Sequence, residues 1–310
     1  MKVFYDPSWH VDLSEFGIGI PLLKDRFQTC FDYLKQKNFS SAWHFQGDLE
    51  DIHQEDLLRV HDATYIQNLF SSSQKSDLEI MRAYEQTSSH EKLRNVLPFH
   101  LKQVQATYTA ANLSLTEKYC YVLGGGHHHA MKTHGSGFCL LNDIVITLRK
   151  LQNEKKIKTA WVIDVDAHKG DGTAALTYED KSISTLSIHM QHGWPLKNPD
   201  ISLPSTLDIP IAEGDEEFYL PKLQEGLEIL WQIHPHPDLV IIVDGSDPYE
   251  KDTLESAILL KLSKEDLLKR DLLIYNFLKE KNIPQTYVTA GGYGPYVWEI
   301  HAQFLEKILA

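Results

Sequence analysis

The segment IDVDAHKGDG, residues 163 to 172, spaces Asp164, Asp166 and His168 at i, i+2 and i+4. Side chains alternate in extended backbone, so these three share one face if the strand runs through them. Carboxylate oxygen and imidazole nitrogen suit Zn²⁺, and a catalytic zinc takes three protein ligands while leaving a position for water or substrate. One more ligand must come from elsewhere. DGSDPYEKD offers Asp244, Asp247 and Asp252, of which Asp247, followed by Pro248, is best placed. Two carboxylates and a neutral imidazole would neutralise a dication while keeping it Lewis acidic. Asp-rich strand ends also cap helices and fill turns, so the reading rests on the set and not on any one Asp. A second run, GGGHHHAMKTHGSGFCLLND (124 to 143), crowds three histidines against three glycines. Imidazoles exchange protons near neutral pH, and glycine lets backbone approach a ligand closely or take positive φ.

Each group follows a short, apolar, β-branched run. YCYVL precedes Gly124 to His129, TAWVIDVD carries Asp164 and Asp166, SISTLSIH ends at His189, DLVIIVDG precedes Asp247, and QTYVTAGG precedes Tyr293. Such runs are typical of buried parallel strands. Helical periodicity in PFHLKQVQATYTAANLSL, FCLLNDIVITLRKLQNEKK, EEFYLPKLQEGLEILWQ and KEDLLKRDLLIYNFLKEKN predicts an α/β fold, a mainly parallel central sheet with helices on both faces. Ligands of open α/β sheets bind beyond the carboxyl ends of the strands, where all five clusters fall. Residues 71 to 92 read as a surface excursion or a frayed helix pair, and no repeat occurs.

With 310 residues, 42% hydrophobic and 24% charged, the chain is long enough for one large α/β domain or two smaller ones. A net charge of −13 argues against broad electrostatic binding of nucleic acid and leaves a basic protein tail open as a partner. Cys30, Cys120 and Cys139 lie far apart with no CxxC pair, which suits a reducing, cytosolic compartment. The start MKVFYDPSWHVDLSEF is too polar for a secretory signal, and no apolar run approaches the ~18 residues of a membrane span.

GGGHHHA with GFCLLND, IDVDAHKGDG, DGSDPYEKDTL and AGGYGP, in that order, resemble the signature segments of the zinc-dependent histone deacetylase family within the arginase-deacetylase fold. VHDATYIQNLF and LSIH match further segments, so the resemblance runs from about residue 57 to 297. Its flavour is bacterial and class IV-like. It implies a single catalytic domain over 1–310, with zinc on Asp166, His168 and Asp247. It also implies Asp164 orienting His128 and Asp171 orienting His129 in a tandem pair, with Tyr293 helping to bind the substrate carbonyl. Gly137, Phe138, Trp194 and Leu254 would line a tunnel for acyl-lysine. A structural potassium ion would lie on Asp164, Ser187 and the backbone of Asp166, His168 and Ile188. Fe²⁺ is an alternative to zinc in such a mixed N/O site. Zinc would polarise the amide carbonyl and acidify water, one histidine would take its proton and the other would protonate the leaving amine.

Departures from the family pattern are His127, Lys169, Thr253 and Glu255. His127 reads as a loop residue without assigned role, and Lys169 either sits beside the site, depressing a neighbouring imidazole, or points to solvent. His10, His44, His53, His61, His134 and His192 read as surface or packed residues. His189 is harder to set aside because it ends a strand beside the implied potassium. Three function classes follow: a zinc hydrolase acting on acyl-lysine or on an acetylpolyamine or similar amine, a two-manganese ureohydrolase, and a catalytically silent acyl-lysine binding protein. DGSDPYEKD lacks the DxD spacing of the second, and no ligand, base or tyrosine is lost as the third would require. Oligomeric state stays open, a homo-oligomer included.

Overall fold

The computed structural model describes residues 1–37, 39, 43–44, 49–86, 92–196 and 202–310. The side chain of His44 and the tail of the polar stretch at 87–91 lie outside the described residues. Eight strands form one sheet: β1 (Lys2–Phe4), β2 (Trp43–His44), β3 (Tyr119–Val122), β4 (Ala160–Asp164), β5 (Ile183–Met190), β6 (Leu207–Ile211), β7 (Leu239–Val243) and β8 (Gln285–Val288). Their order is β2-β1-β3-β8-β7-β4-β5-β6, and every pairing is parallel.

Alternation splits the sheet into two buried faces. Tyr121, Trp161, Ile163, Leu186, Val240, Ile242 and Tyr287 pack on one side against α1 (Arg26–Gln36), α8 (Tyr219–Ile233), α9 (Lys264–Glu280) and α10 (Trp298–Leu309). Phe4, Val122, Val162, Ile183, Ile241, Val243 and Val288 pack on the other against α5 (Leu97–Glu117) and α6 (Asp143–Asn153). The near-continuous apolar composition of β7, LVIIV with all five residues buried, is what a strand covered on both faces requires. A third cluster, with Tyr65, Ile66, Ile80 and Val145, seats α3 (Ala63–Leu69) and α4 (Gln74–Ala83) outside α5 and α6. Residues 74–83, expected as an excursion or a frayed pair, form a regular helix capped by Ser73.

Three strands went unread in the sequence, and all lie towards the sheet's edges. β6 contains Pro210, which lacks an N–H for a ladder and is tolerated because β6 pairs on one side alone. Among the described residues no helix is long and apolar enough to cross a membrane.

Candidate active site

Strands β3, β8, β7, β4 and β5 are consecutive neighbours in the sheet. Because they run parallel, their five outgoing loops meet at one rim, around a cavity of ≈600 Å³ lined by Gly126, His128, His129, Asp166, His168, Trp194, Asp247 and Tyr293 among others. His128, His129, Asp166, His168, Asp247 and Tyr293, far apart in the sequence, thus face one space, whereas Asp164, Asp171 and His189 are not part of its lining.

The strand ends at Asp164, earlier than the alternation argument required, and Asp164 does not join the other two donors. Its Oδ2 lies 2.7 Å from His128 Nδ1 instead. Beyond it, Asp166, His168 and Asp247, all buried, hold ligand atoms within 4.8 Å of one another. His168 Nδ1 lies 3.1 Å from Asp166 Oδ1 and 2.9 Å from Asp247 Oδ2. The spare carboxylate oxygens accept backbone N–H groups, Asp166 Oδ2 from Gly291 at 3.0 Å and Asp247 Oδ1 from Ala167 at 2.8 Å. A Cβ on Gly291 would stand 2.7 Å from Asp247 Oδ2, so only glycine lets that backbone reach the ligands.

The donor set fits a divalent cation. Burial and the neighbouring Asp166 push Asp247 up to about 6. His168, against the opposing effect of burial, is lifted to about 10 by the two carboxylates it bridges. Two buried acids and one ring at this spacing are short of positive charge, which a dication supplies and two carboxylates plus imidazole can hold.

His129 Nδ1 lies 2.7 Å from Asp171 Oδ1, and the His128 and His129 rings are 3.9 Å apart. Their surroundings pull the pair apart. Burial opposes a charge on His128, but Asp164 and Asp166 outweigh it and raise the ring to about 9. Burial and the charge on His128 depress His129 to about 4 despite Asp171. Tyr293 is buried within the same cavity, its hydroxyl kept protonated by burial and by Asp247. Gly137 (φ 53°) and Phe138 (φ 66°) take the left-handed region. A Cβ on Gly137 would meet Trp194 and stand 2.6 Å from the His129 ring. Trp194 packs edge-on to His129 at 4.5 Å, Phe138 edge-on to Tyr293 at 6.2 Å, and Leu254 completes the wall with Glu255 exposed beside it.

Asp164 and Ser187 pair across β4 and β5 and border a void of ≈10 Å³, while the Ser187 hydroxyl shares a hydrogen bond with His189 Nδ1 at 3.0 Å. Lys169 neither enters the site nor reaches solvent: it is buried and pairs with Asp208 at 2.8 Å. Burial first, then Lys169, depress His189 to about 4 against Asp208. His61 is packed between Met131 O and Asn142 N–H. His10, read as surface or packed, borders the cavity.

The roles of five residues did not follow from the sequence. Asp143, quoted only within GFCLLND, accepts the N–H groups of Gly126 at 3.0 Å and His127 at 2.7 Å, fixing the turn that presents His128. Asp252, weighed as a metal ligand, accepts the N–H of Tyr293 at 2.7 Å and of Leu254 at 2.8 Å. Arg26 donates to the carbonyls of Ala290 and Gly292, the latter at 2.5 Å. Arg270 donates to Val165 O and Gly245 O. The fifth, Ser256, lies 3.1 Å from His168 Nε2. Pairs distant in sequence left no local signal.

Comparison with known proteins decides the family. The histone deacetylase domain model matches residues 20–308. The chain belongs to the histone deacetylase family. Its parallel sheet covered on both faces is the arginase-deacetylase fold the motifs implied. Histone deacetylase 2 of Arabidopsis thaliana is 31% identical over 256 residues, 82% of this chain and 64% of that protein. The acetoin utilization protein AcuC of Staphylococcus aureus is 28% identical over 214 residues, 64% of this chain and 54% of that protein. The chain thus aligns with between about half and two thirds of the length of these relatives.

Ser256 yields a first prediction. A hydrogen bond to the far nitrogen of a metal-held imidazole fixes its tautomer, and losing such a partner typically costs ~10–100-fold in metal affinity. Ser256→Ala is expected to lose metal to a competing chelator that many-fold more readily than wild type while melting at the same temperature. Equal retention would show that the hydroxyl does not set the tautomer.

Proposed function

We propose that this histone deacetylase family member is a metal-dependent amidohydrolase that removes acyl groups from lysine side chains, acting as one catalytic domain over residues 1–310. The carrying observation is the juxtaposition of two His–Asp pairs, each at 2.7 Å, with a buried Asp–His–Asp set and Tyr293 on one cavity. Asp166, His168 and Asp247 would hold Zn²⁺, or Fe²⁺ in the same N/O set. The ion, when bound, supplies Lewis acidity that polarises the amide carbonyl and lowers the pKa of water towards ~7.

This chain's residues do the rest. Asp171 occupies Nδ1 of His129, so the neutral ring offers Nε2 as the acceptor for a proton from the attacking water. Asp164 occupies Nδ1 of His128, whose Nε2 carries a proton for the departing lysine amine. Water adds to the carbonyl carbon, the C–N bond breaks, and a carboxylic acid and a free amine leave. Tyr293 donates its hydroxyl to the developing oxyanion. Phe138, Trp194 and Leu254, with Gly137, give the lysine stem an apolar passage. Potassium on Asp164, Ser187, Ile188 and the backbone of Asp166 and His168 would stiffen the β4 and β5 ends.

An acetylpolyamine or other small acylated amine is the alternative substrate of the same chemistry. The two-manganese reading is disfavoured because the further carboxylates have other partners: Asp244 pairs with Arg270, Asp252 with the Tyr293 N–H and Asp164 with His128. Three buried free cysteines suit the cytoplasm. Nucleic acid and membrane are not expected partners, and a homo-oligomer is compatible with the reading.

Tyr293→Phe tests the assignment. Elemental assay is expected to find the metal retained, while turnover of an acetyl-lysine peptide falls ~10²–10³-fold, the usual loss of an oxyanion donor. Undiminished turnover would remove Tyr293 from the mechanism.

A further inference from the structure

Lys169 directly follows His168, yet the two side chains part. His168 lines the cavity and Lys169 does not. The Lys169 side chain is 6% exposed, and its ammonium lies 2.8 Å from Asp208 Oδ2. Among the described residues Asp208 is its one ion-pair partner. Asp208 makes a firm anchor. It stands in the edge strand β6, in register with Ser187 of β5, and its Oδ2 also accepts the Ser205 N–H at 3.1 Å. Just before it, Thr185 and Thr206 each donate a backbone N–H to the other's hydroxyl at 3.0 Å, fastening the start of β6 to β5.

The loop thus anchored runs from the end of β4 at Asp164 to α7 (Asp171–Thr177). Up to Ala167 it is tied to both neighbouring strands. The Val165 N–H donates to Val243 O at 3.0 Å, the Met190 N–H donates to Ala167 O at 2.9 Å, and Arg270 donates to Val165 O. From His168 onward the backbone bonds turn inward: the His168 N–H donates to Asp166 Oδ1 at 3.0 Å, and Lys169 O accepts the Asp171 N–H at 2.8 Å. Such bonds shape a turn without fixing where it sits over the sheet. Lys169 leaves this turn and ends on β6, two places along the sheet from β4, on the side away from β7 and Arg270. The pair is a poor source of stability, because desolvating two ions offsets much of their attraction and apolar side chains of similar volume often replace a buried pair without loss. Asp208 Oδ1 is moreover buried without a hydrogen-bond partner. What a directional charge contact supplies, and an apolar one does not, is a fixed position.

Resting on the metal-dependent deacylase reading above, we infer that Lys169 is a positioning residue. Through Asp208 it holds the turn between His168 and Asp171, and so keeps the His168 imidazole aimed at the metal and Asp171 on His129. The pair acts on the geometry of the site and not on the stability of the fold.

The test uses the full chain loaded with Zn²⁺ and compares wild type with Lys169→Met, Asp208→Asn and the double replacement Lys169→Met with Asp208→Leu, which removes both charges and leaves an apolar contact. Each variant is expected to pass zinc to a colorimetric chelator ~10–100-fold faster than wild type, the loss typical when support for a metal ligand is removed. The double variant is expected to do so while its metal-free form melts at or above the wild-type temperature. With zinc in excess, kcat for an acetyl-lysine peptide is expected to fall about 10-fold at unchanged KM, a fraction of what a 1 Å misplacement can cost. Zinc release from the double variant at the wild-type rate, release rates that merely follow melting temperature across the set, or a rise in KM at unchanged kcat would each overturn the positioning role and leave the deacylase reading standing. Faster release from the variants of a protein that, fully loaded, cleaves no acetylated peptide or amine would overturn the deacylase reading and leave Lys169 holding the turn. A wild type that holds no zinc would overturn both.

Discussion

Asp247→Ala is expected to lose the bound ion and turnover together. Asp247 is 1% exposed, and its two oxygens face the His168 ring at 2.9 Å and the Ala167 N–H at 2.8 Å. Removing it leaves Asp166 and His168, which satisfy each other at 3.1 Å, so a proton on the ring competes with the metal for the remaining pair. A protein-held zinc ion gains ~10–16 kcal/mol over about four ligands. One lost ligand of this kind therefore costs on the order of 10²–10³-fold in affinity. Dialysed Asp247→Ala is expected to carry almost no metal by elemental assay and to hydrolyse acetyl-lysine peptide at background rate. Asp247→Asn separates two causes: it keeps an acceptor for Ala167 but removes the charge, so it should melt like wild type and still bind metal poorly. Stoichiometric metal in Asp247→Ala would show that the ion sits elsewhere.

How much of this was legible in the sequence depends on the range of the interactions. Interior strands such as LVIIV announce themselves because burial on both faces demands an unbroken apolar run. KVF has three residues and LDIPI contains a proline, so their pairing is decided by neighbours they meet only in the fold. Residue types at strand ends pointed to Asp164, Asp166, His168 and Asp247 together, whereas the choice of Asp166, His168 and Asp247 as the ligand set and the assignment of Asp164 to His128 and Asp171 to His129 needed the family resemblance. The structure places both pairs in contact. The supporting residues were silent. Arg26 reaches Gly292 across 266 positions and Ser256 reaches His168 across 88, and no local periodicity encodes such a meeting. His127 was visible as an oddity, and the structure packs its ring 4.6 Å from that of His100, a meeting of residues 27 positions apart that no local pattern announces.

Arg270 carries the largest expected effect on stability. It is fully buried, and its fork is used on every side. Nε donates to Asp271 at 2.7 Å, Nη2 to Asp244 at 2.7 Å, and Nη1 to Gly245 O at 2.8 Å and Val165 O at 3.0 Å. Those two carbonyls lie one residue before Asp166 and two before Asp247, just past the ends of the neighbouring strands β4 and β7. The same guanidinium therefore balances two buried acids and ties together the loops that carry Asp166 and Asp247, the proposed metal ligands. Arg270→Met preserves bulk but strands both carboxylates. Burial already raises Asp271 against the pull of Arg270, and Asp244 is held at about 2, where Arg270 outweighs its burial. Breaking a buried pair from one side typically costs ~3–5 kcal/mol, and at roughly 2–4 °C per kcal/mol for large domains the melting temperature should fall by on the order of 10 °C. Arg270→Lys keeps one charge but cannot reach two acids and two carbonyls at once. It is expected to fold with a smaller loss in melting temperature and yet to release metal to a chelator faster than wild type, because the loops bearing Asp166 and Asp247 are no longer tied. If Arg270→Lys held metal as tightly as wild type, the fork would be acting on stability alone, and the positions of the ligands would be set by the strands themselves.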